Sequence, residues 1–467
     1  MHFPNATTAA ALDLCVIGAG TAGYAAAGAA AKHGRSVAVI SAPGDLGGTC
    51  IRRGCMPAKT LLAAVQALGV VEKADEVGIH TGNVRIDIPA IVQRKNDLVD
   101  YFVRSRVDEF ADFDVRFGMA RFIDDRAIDV DGARVEADRF IIATGSRIVP
   151  PAIPGLIECG YFTSDDALNM TTIPQALLII GAGPVGCEFA QYFSRAGSRV
   201  TLVQSENEIL RNEDPDIAAY LRGMLLHEGI NVAVATDVVS VSRASTGVIA
   251  TLCSDGTERD VTVDCVMLAT GRKPNIESLA LSNAGVKVSS GRLEIDDFLR
   301  TTNPRILAAG DVVGRRCLVH VAEWAGRLAE HNAFADDPRV ARFADVETHA
   351  IYTQPQIAVA GLTESQARSE SIALHVGRHD FRDIGKALVS DEPEGFIKMM
   401  TTGDGEVRGV AIIGADALDL VNEAVLIIAR GMTAEEVAAV PHLHPTMGEI
   451  YVRVAEDVQQ SSLLSRK

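Results

Sequence analysis

A chain of 467 residues, 48% hydrophobic and 22% charged, has room for two to four globular domains, each with its own core. Its net charge of −17 argues against the clustered Lys and Arg that bind nucleic acid or anionic membranes. Eight cysteines are too few for a disulfide scaffold, so a close pair of them points to redox chemistry or a metal.

Residues 1–14 lack the basic start and long apolar run of a secretory leader, and no apolar stretch reads as long enough to span a bilayer. A cytoplasmic protein that engages neither membrane nor nucleic acid is expected. Residues 12–17 read as a buried strand that runs into Gly18, Gly20 and Gly23 in GxGxxG spacing. A small-residue helix and an apolar strand at 36–40 follow. In the order strand, glycine turn, helix, strand, the glycines allow a tight turn and close approach of a pyrophosphate. They also aim the helix N-terminus at it.

The segment Gly47-Gly48-Thr49-Cys50-Ile51-Arg52-Arg53-Gly54-Cys55-Met56-Pro57-Ala58-Lys59 comes next. On a regular helix, residues five apart rise about 7.5 Å and turn about 140°, which leaves their Cα atoms roughly 8.6 Å apart. A disulfide needs about 4.4–6.8 Å. Cys50 and Cys55 can therefore pair only across an irregular turn, for which Gly54 and Pro57 supply reasons. A bond closing so small a loop stabilises little, so its use would be redox. The alternatives are two free thiols or half of a zinc site, though no second CxxC or HxxxH supplies the other half.

A buried strand at 140–145 ends in Thr144-Gly145, and the turn-rich run 150–155 marks a boundary. The whole pattern then repeats. A strand at 177–180 meets Gly181, Gly183 and Gly186, a strand at 199–203 ends before Gln204, and residues 265–271 close on Gly271. A third strand-to-glycine element ends at Gly310-Asp311. The expected fold is α/β, with two Rossmann-like dinucleotide-binding domains, one inserted in the other. Residues 1–150 and 272–345 form the first and residues 151–271 the second. Residues 346–467 form a separate α+β domain, with strands at 395–400 and 407–413 and helices at 417–430 and 433–440.

Near the C-terminus stands His442-Leu443-His444-Pro445-Thr446-Met447-Gly448-Glu449. A histidine whose second ring nitrogen is held by a carboxylate is a positioned acid or base. Dithiol chemistry needs one, because only the thiolate attacks a disulfide. His444 is the stronger candidate and His442 the weaker; a packed or surface histidine is the alternative for both.

The motifs at 47–59, 143–145, 181–188, 269–275, 310–311 and 444–449, in that order, resemble the class I pyridine nucleotide–disulfide oxidoreductases. That family includes dihydrolipoamide dehydrogenase, glutathione reductase and mercuric reductase, and the resemblance covers essentially the whole chain. It implies FAD on Gly18, Gly20 and Gly23, with Ser41 at the adenosine ribose and Asp311 at the ribityl chain. It implies a nicotinamide dinucleotide on Gly181, Gly183 and Gly186, with Gln204 at its ribose. Further cofactor contacts are implied at Gly48, Thr49, Lys59, Thr144, Gly145, Gly271 and Gly310. Cys50 would be the thiol that meets substrate and Cys55 the thiolate beside the flavin. Lys59 would pair with Glu188 near the flavin, and His444, oriented by Glu449, would come from the other subunit of a homodimer.

Within the family the chain is most similar to dihydrolipoamide dehydrogenase. It has no cysteine after Cys317, no N-terminal CxxC module and no arginine in the run Gln204-Ser205-Glu206-Asn207-Glu208. The expected substrate is a small dithiol or disulfide or a lipoyl domain, the expected carrier NAD(H) rather than NADP(H), and no metal site is expected. The alternatives are a reductase of another small disulfide or a metal ion, and a flavoprotein without turnover that serves as a binding or redox-sensing partner. Three positions depart from the family pattern. Arg52 and Arg53 fill the loop between the cysteines, where they would lower thiol pKa values, favour an anionic substrate, or simply face solvent. Ser41 replaces an acid, which implies weaker FAD binding. Pro184 stands where relatives carry an aromatic lid. Glu206 and Glu208, with no cation before Arg211, are expected to disfavour a 2′-phosphate.

Overall fold

The computed structural model describes residues 12–315, 317–342 and 347–465. The stretch before Leu12, the expected boundary at 345/346 and the last two residues lie outside them. The first sheet has a parallel core in the order Asp114–Phe117, Val37–Ser41, Leu12–Ile17, Ala133–Ile142, Ile306–Ala308. Leu14, Cys15 and Val16 are wholly buried, as strands covered on both faces should be. The alanine-rich helix Thr21–Lys32 packs on Val319–Phe334. A Cβ on Gly326 would strike the Ala22 carbonyl oxygen, so these helices meet backbone to backbone.

The second sheet is also parallel, in the order Asn231–Ala233, Arg199–Val203, Ala176–Ile180, Cys265–Leu268, Phe162–Thr163. Both glycine turns have the same internal packing. A Cβ on Gly23 would strike the Gly18 carbonyl, and one on Gly186 the Gly181 carbonyl. An antiparallel meander, Thr236–Arg243, Val248–Ser254 and Thr257–Val263, extends this unit. The chain enters and leaves it along the two-stranded ladder Ser146–Ile148 with Arg272–Pro274.

The third sheet is wholly antiparallel: Thr348–Ile351, Gln356–Gly361, Val407–Gly414, Gly395–Thr401, His375–Asp380. Helices Ala417–Ala429 and Ile450–Ser465 cover it around Val410, Ile412, Tyr451 and Val454. The chain is thus α/β, with two Rossmann-like sheets and a C-terminal α+β unit.

One expectation needs correction. The helical run Gly48–Glu72 does reach bilayer length, with 25 residues, of which an 18-residue stretch has a mean hydropathy of 1.4. It is broken at Gly54 and packs against helices Ile88–Glu109 and Pro184–Arg195. Its apolar residues Leu61, Leu62 and Val65 enter the core shared with the second and third sheets.

Candidate active site

Cys50 lies in the short helix Gly48–Arg53, and Cys55 opens the helix Cys55–Glu72. Gly54, between them, has φ −128° and ψ −118°, so the two helices are not one continuous rod. A Cβ on Gly54 would lie 2.9 Å from the Thr49 carbonyl oxygen and 3.2 Å from the Cys50 Cα. This break brings the thiols within hydrogen-bonding reach of each other. Both are free thiols. The hydrogen bond from Cys50 lowers Cys55 to about 7, against the cost of burial and with help from the Lys59 charge. The same hydrogen bond, and then burial, push Cys50 well above the ordinary thiol range. Of the two thiols, Cys55 is therefore the easier to ionise.

Lys59, one helical turn beyond Cys55, pairs with Glu188 at 2.5 Å. Glu188 lies on the second glycine-motif helix and is nearly buried. The two arginines of the loop have separate fates. Arg53 is tied to Asp45 at 2.6 Å and to Asp165 at 3.7 Å, which links the dithiol loop to the second unit. Arg52 donates its Nε–H to the Leu46 carbonyl at 2.6 Å.

The residues present fit FAD. Helix Thr21–Lys32 opens at Gly20 with no side-chain cap and no acid in its first turn, so its amides are left for an anion. A Cβ on Gly48 would come 2.6 Å from the Gly20 Cα; the cysteine motif and the first glycine motif touch here. Thr144 donates to the Asn275 carbonyl at 2.6 Å and Asn275 returns a bond to the Thr144 carbonyl at 3.0 Å, and Gly145 accepts from the Asn275 N–H. Arg272 donates to Ser146 Oγ, which donates to Asp311 Oδ2, each at 2.8 Å. Ser146, Arg272 and Asp311 line a cavity of about 810 Å³ with Lys273, Gly314 and Cys317. Gly310 precedes Asp311 with φ +80°. Arg272 lies within the motif at 269–275, but the sequence pattern does not single out it, Ser146 or Cys317 as a site residue; Ser146 directly follows Thr144-Gly145, which is the trace that could have found it. Ser41 is almost wholly buried and spends its hydroxyl on the Ala42 carbonyl at 3.1 Å.

The second glycine helix likewise opens uncapped at Gly183, with Pro184 at its first turn, and Gly271 has φ +101°. Gln204 Oε1 accepts from the Ala182 N–H at 3.2 Å, inside the glycine loop. Glu206 and Glu208, the two acids expected to disfavour a 2′-phosphate, each have a cation partner. Arg222 grips Glu208 at 2.9 Å and Arg211 meets Glu206 at 3.2 Å.

His444 Nδ1 lies 2.9 Å from Glu449 Oε1, and Glu449 also accepts from the Thr446 N–H at 3.1 Å. The His444 bond, first, and that amide hold the Glu449 carboxyl below its usual range. The imidazole is 76% exposed, so Nε2 faces outward. Among the described residues no hydrogen bond joins it to Cys50 or Cys55. His442 is different: Glu423 and the Val440 carbonyl occupy its two nitrogens and its ring stacks on Tyr451.

Residues 12–326 match the pyridine nucleotide-disulphide oxidoreductase family, and residues 348–455 match the dimerisation domain of that family. The chain is 35% identical over 451 residues to a mercuric reductase of Streptomyces lividans, covering 94% of each chain. It is 34% identical over 450 residues to a dihydrolipoyl dehydrogenase of Bacillus subtilis, covering 94% of this chain and 96% of that one. The HOCl-induced flavoprotein disulfide reductase RclA of Escherichia coli superposes with a TM-score of 0.84 at 28% identity, over 95% of this chain and 99% of that one. With a dithiol at a helix break, two uncapped glycine-motif helices and matches along nearly its whole length, the chain belongs to the pyridine nucleotide-disulphide oxidoreductases, an FAD-dependent family that uses NAD(P).

Proposed function

We propose that the protein oxidises dihydrolipoamide, free or on a lipoyl domain, with NAD⁺: dihydrolipoamide + NAD⁺ → lipoamide + NADH + H⁺. The observation that carries this reading is the Cys50–Cys55 junction at Gly54, with Lys59 and Glu188 beside it. In the proposed cycle a substrate thiolate attacks Cys50 Sγ of the oxidised pair, and Cys55 leaves as a thiolate, which the Lys59 charge stabilises. His444, supplied by the second subunit of a homodimer and oriented by Glu449, takes the proton of the second substrate thiol. That sulfur displaces Cys50 and closes the product disulfide, and Cys50 leaves as the thiol by taking the proton back from His444. FAD, when bound to residues around Gly18, Gly20, Gly23, Gly310 and Asp311, supplies the two-electron exchange between this dithiol and a nicotinamide. Residues 1–150 with 272–345 would hold FAD, residues 151–271 the nicotinamide nucleotide, and residues 346–467 the subunit contact, in a cytoplasmic enzyme.

We place NAD(H) ahead of NADP(H) because, among the described residues, Arg211 and Arg222 are each spent on a carboxylate, Glu206 and Glu208. The margin is narrow, about tenfold or 1.4 kcal/mol, because Glu206 and Glu208 are themselves neutralised. A second reading, reduction of another small disulfide or a metal ion, draws on the similarity to RclA and the mercuric reductase. One panel separates the two: the purified protein with NADH or NADPH, against lipoamide, oxidised glutathione, dithionitrobenzoate and Hg²⁺. Fastest turnover with lipoamide and NADH is expected; faster turnover with any other acceptor, or with NADPH, overturns the corresponding assignment.

A further inference from the structure

The Lys59–Glu188 pair has a third member from another sheet. Tyr352 follows directly on strand Thr348–Ile351 and touches both partners. Its backbone N–H donates to Glu188 Oε1 at 2.8 Å, while the other carboxylate oxygen takes Lys59. Its ring lies against the ammonium, with Nζ 4.3 Å from the ring centroid. Its carbonyl accepts from Gln66 at 3.2 Å, two turns along the helix that carries Lys59. The next residues are fastened to the helix of Glu188: Gln354 exchanges hydrogen bonds with Gln191 at 2.8 and 2.7 Å and also meets Arg195. Glu188, Gln191 and Arg195 are spaced three and four apart, which is one face of a helix.

We infer that Tyr352 is a positioning residue whose ring and backbone amide together confine the Lys59 ammonium to the direction of Cys55. The inference rests on Cys55 being the flavin-facing thiolate. A lysine ammonium is a compact charge on a flexible stem with three donors. Glu188 takes one, and the ring face attracts the cation from a second side. What remains points away from both. Without the ring, Lys59 is free to rotate about Glu188 and to hydrate, and its charge no longer stays beside the dithiol. The phenol senses the same surroundings: burial, and then the charges of Cys55 and Glu188, push it up. The ring, rather than the hydroxyl, does the positioning, because the ammonium meets the ring face.

The test is a pH titration of the thiolate-to-flavin charge-transfer absorbance in the reduced FAD holoenzyme, for the parent, Tyr352→Phe, Tyr352→Leu and Tyr352→Met. The midpoint is expected to rise by about half a pH unit or more in the Leu and Met variants and to stay in place in Tyr352→Phe. Circular dichroism and thermal midpoints show which variants keep the fold; Leu and Met remove the ring at two different shapes. An unshifted midpoint in a folded Leu or Met variant overturns the inference. So does a Phe variant that shifts as far as Leu, which would give the role to the hydroxyl. A parent with no such band instead overturns the assignment of Cys55 on which this rests.

Discussion

Gly54 carries no functional group, yet the dithiol depends on it. The atoms a methyl would meet, the Thr49 carbonyl and the Cys50 Cα, are backbone and cannot swing aside. Gly54→Ala should open the junction, separate the thiols and lower dithiol turnover with NAD⁺ at least about tenfold, while the protein stays folded and yellow. Unchanged turnover would mean that the junction tolerates the methyl. The thiols should also differ in kind. With Cys55 lowered to about 7, the charge-transfer band should be present above that pH and fade as protons arrive below it. Cys55→Ser should abolish the band. Cys50→Ser, which still offers a donor, should keep it, and Cys50→Ala should move its midpoint upward, because the hydrogen bond from Cys50 is the first cause of the low value. A band that survives Cys55→Ser would reverse the roles of the two thiols.

At the scale of elements, a buried lysine does the joining. Lys398, in strand Gly395–Thr401, meets Asp214 at 2.9 Å, Asp216 at 3.0 Å and Glu364. Asp214 stands at the start of helix Pro215–His227 and Glu364 begins helix Glu364–Ser369, so one cation ties two helix starts to the third sheet. The three carboxylates lie within 4.8 Å of one another. Lys398→Met should leave them facing each other and destabilise the fold by about 3 kcal/mol or more. Without the cation the three carboxylates repel one another across the joint. The loss is measured by urea unfolding; a Lys398→Met variant that unfolds at the parent's urea midpoint would sink this account. Such joints are what the sequence pattern leaves out. The strand read at 407–413 is Val407–Gly414 and the helix read at 417–430 is Ala417–Ala429, because apolar periodicity is written locally. The break between Cys50 and Cys55 was legible as the condition for their pairing, because a regular helix holds residues five apart too far from each other. The partners of Arg53 and Glu208, and the place of Tyr352 beside Lys59, were not: each joins side chains far apart in sequence, and no local pattern encodes that. The meander Thr236–Val263 went unread for a related reason. Its last strand, Thr257–Val263, is mostly exposed and shows no apolar face to detect.

The whole molecule sets the last requirement. The first sheet carries the dithiol and the third carries His444, whose imidazole faces away from its own chain. Beside it Leu443 is 77% exposed and Leu426 66%, and His442 bonded to Glu423 holds these two segments together. A monomer would leave this apolar rim in water around an acid–base group with nothing to act on. Closing the matched dimerisation domain against a second copy by a two-fold axis would cover the rim twice and build two equivalent sites, each with thiols from one chain and His444 from the other. Cys50→Ser and His444→Ala homodimers should then both be nearly inactive, since every site in each lacks one member. A mixed dimer concentrates both lesions in one site and leaves the other intact. Unfolding and refolding the two variants together, or co-expressing them with different tags, should restore up to about half of the parent's turnover per heterodimer. The recovery should rise with the fraction of heterodimer, measured after tandem affinity purification. Verified heterodimers that stay as inactive as their parents would require thiols and imidazole to work within one chain, and the exposed His444 would then need another explanation.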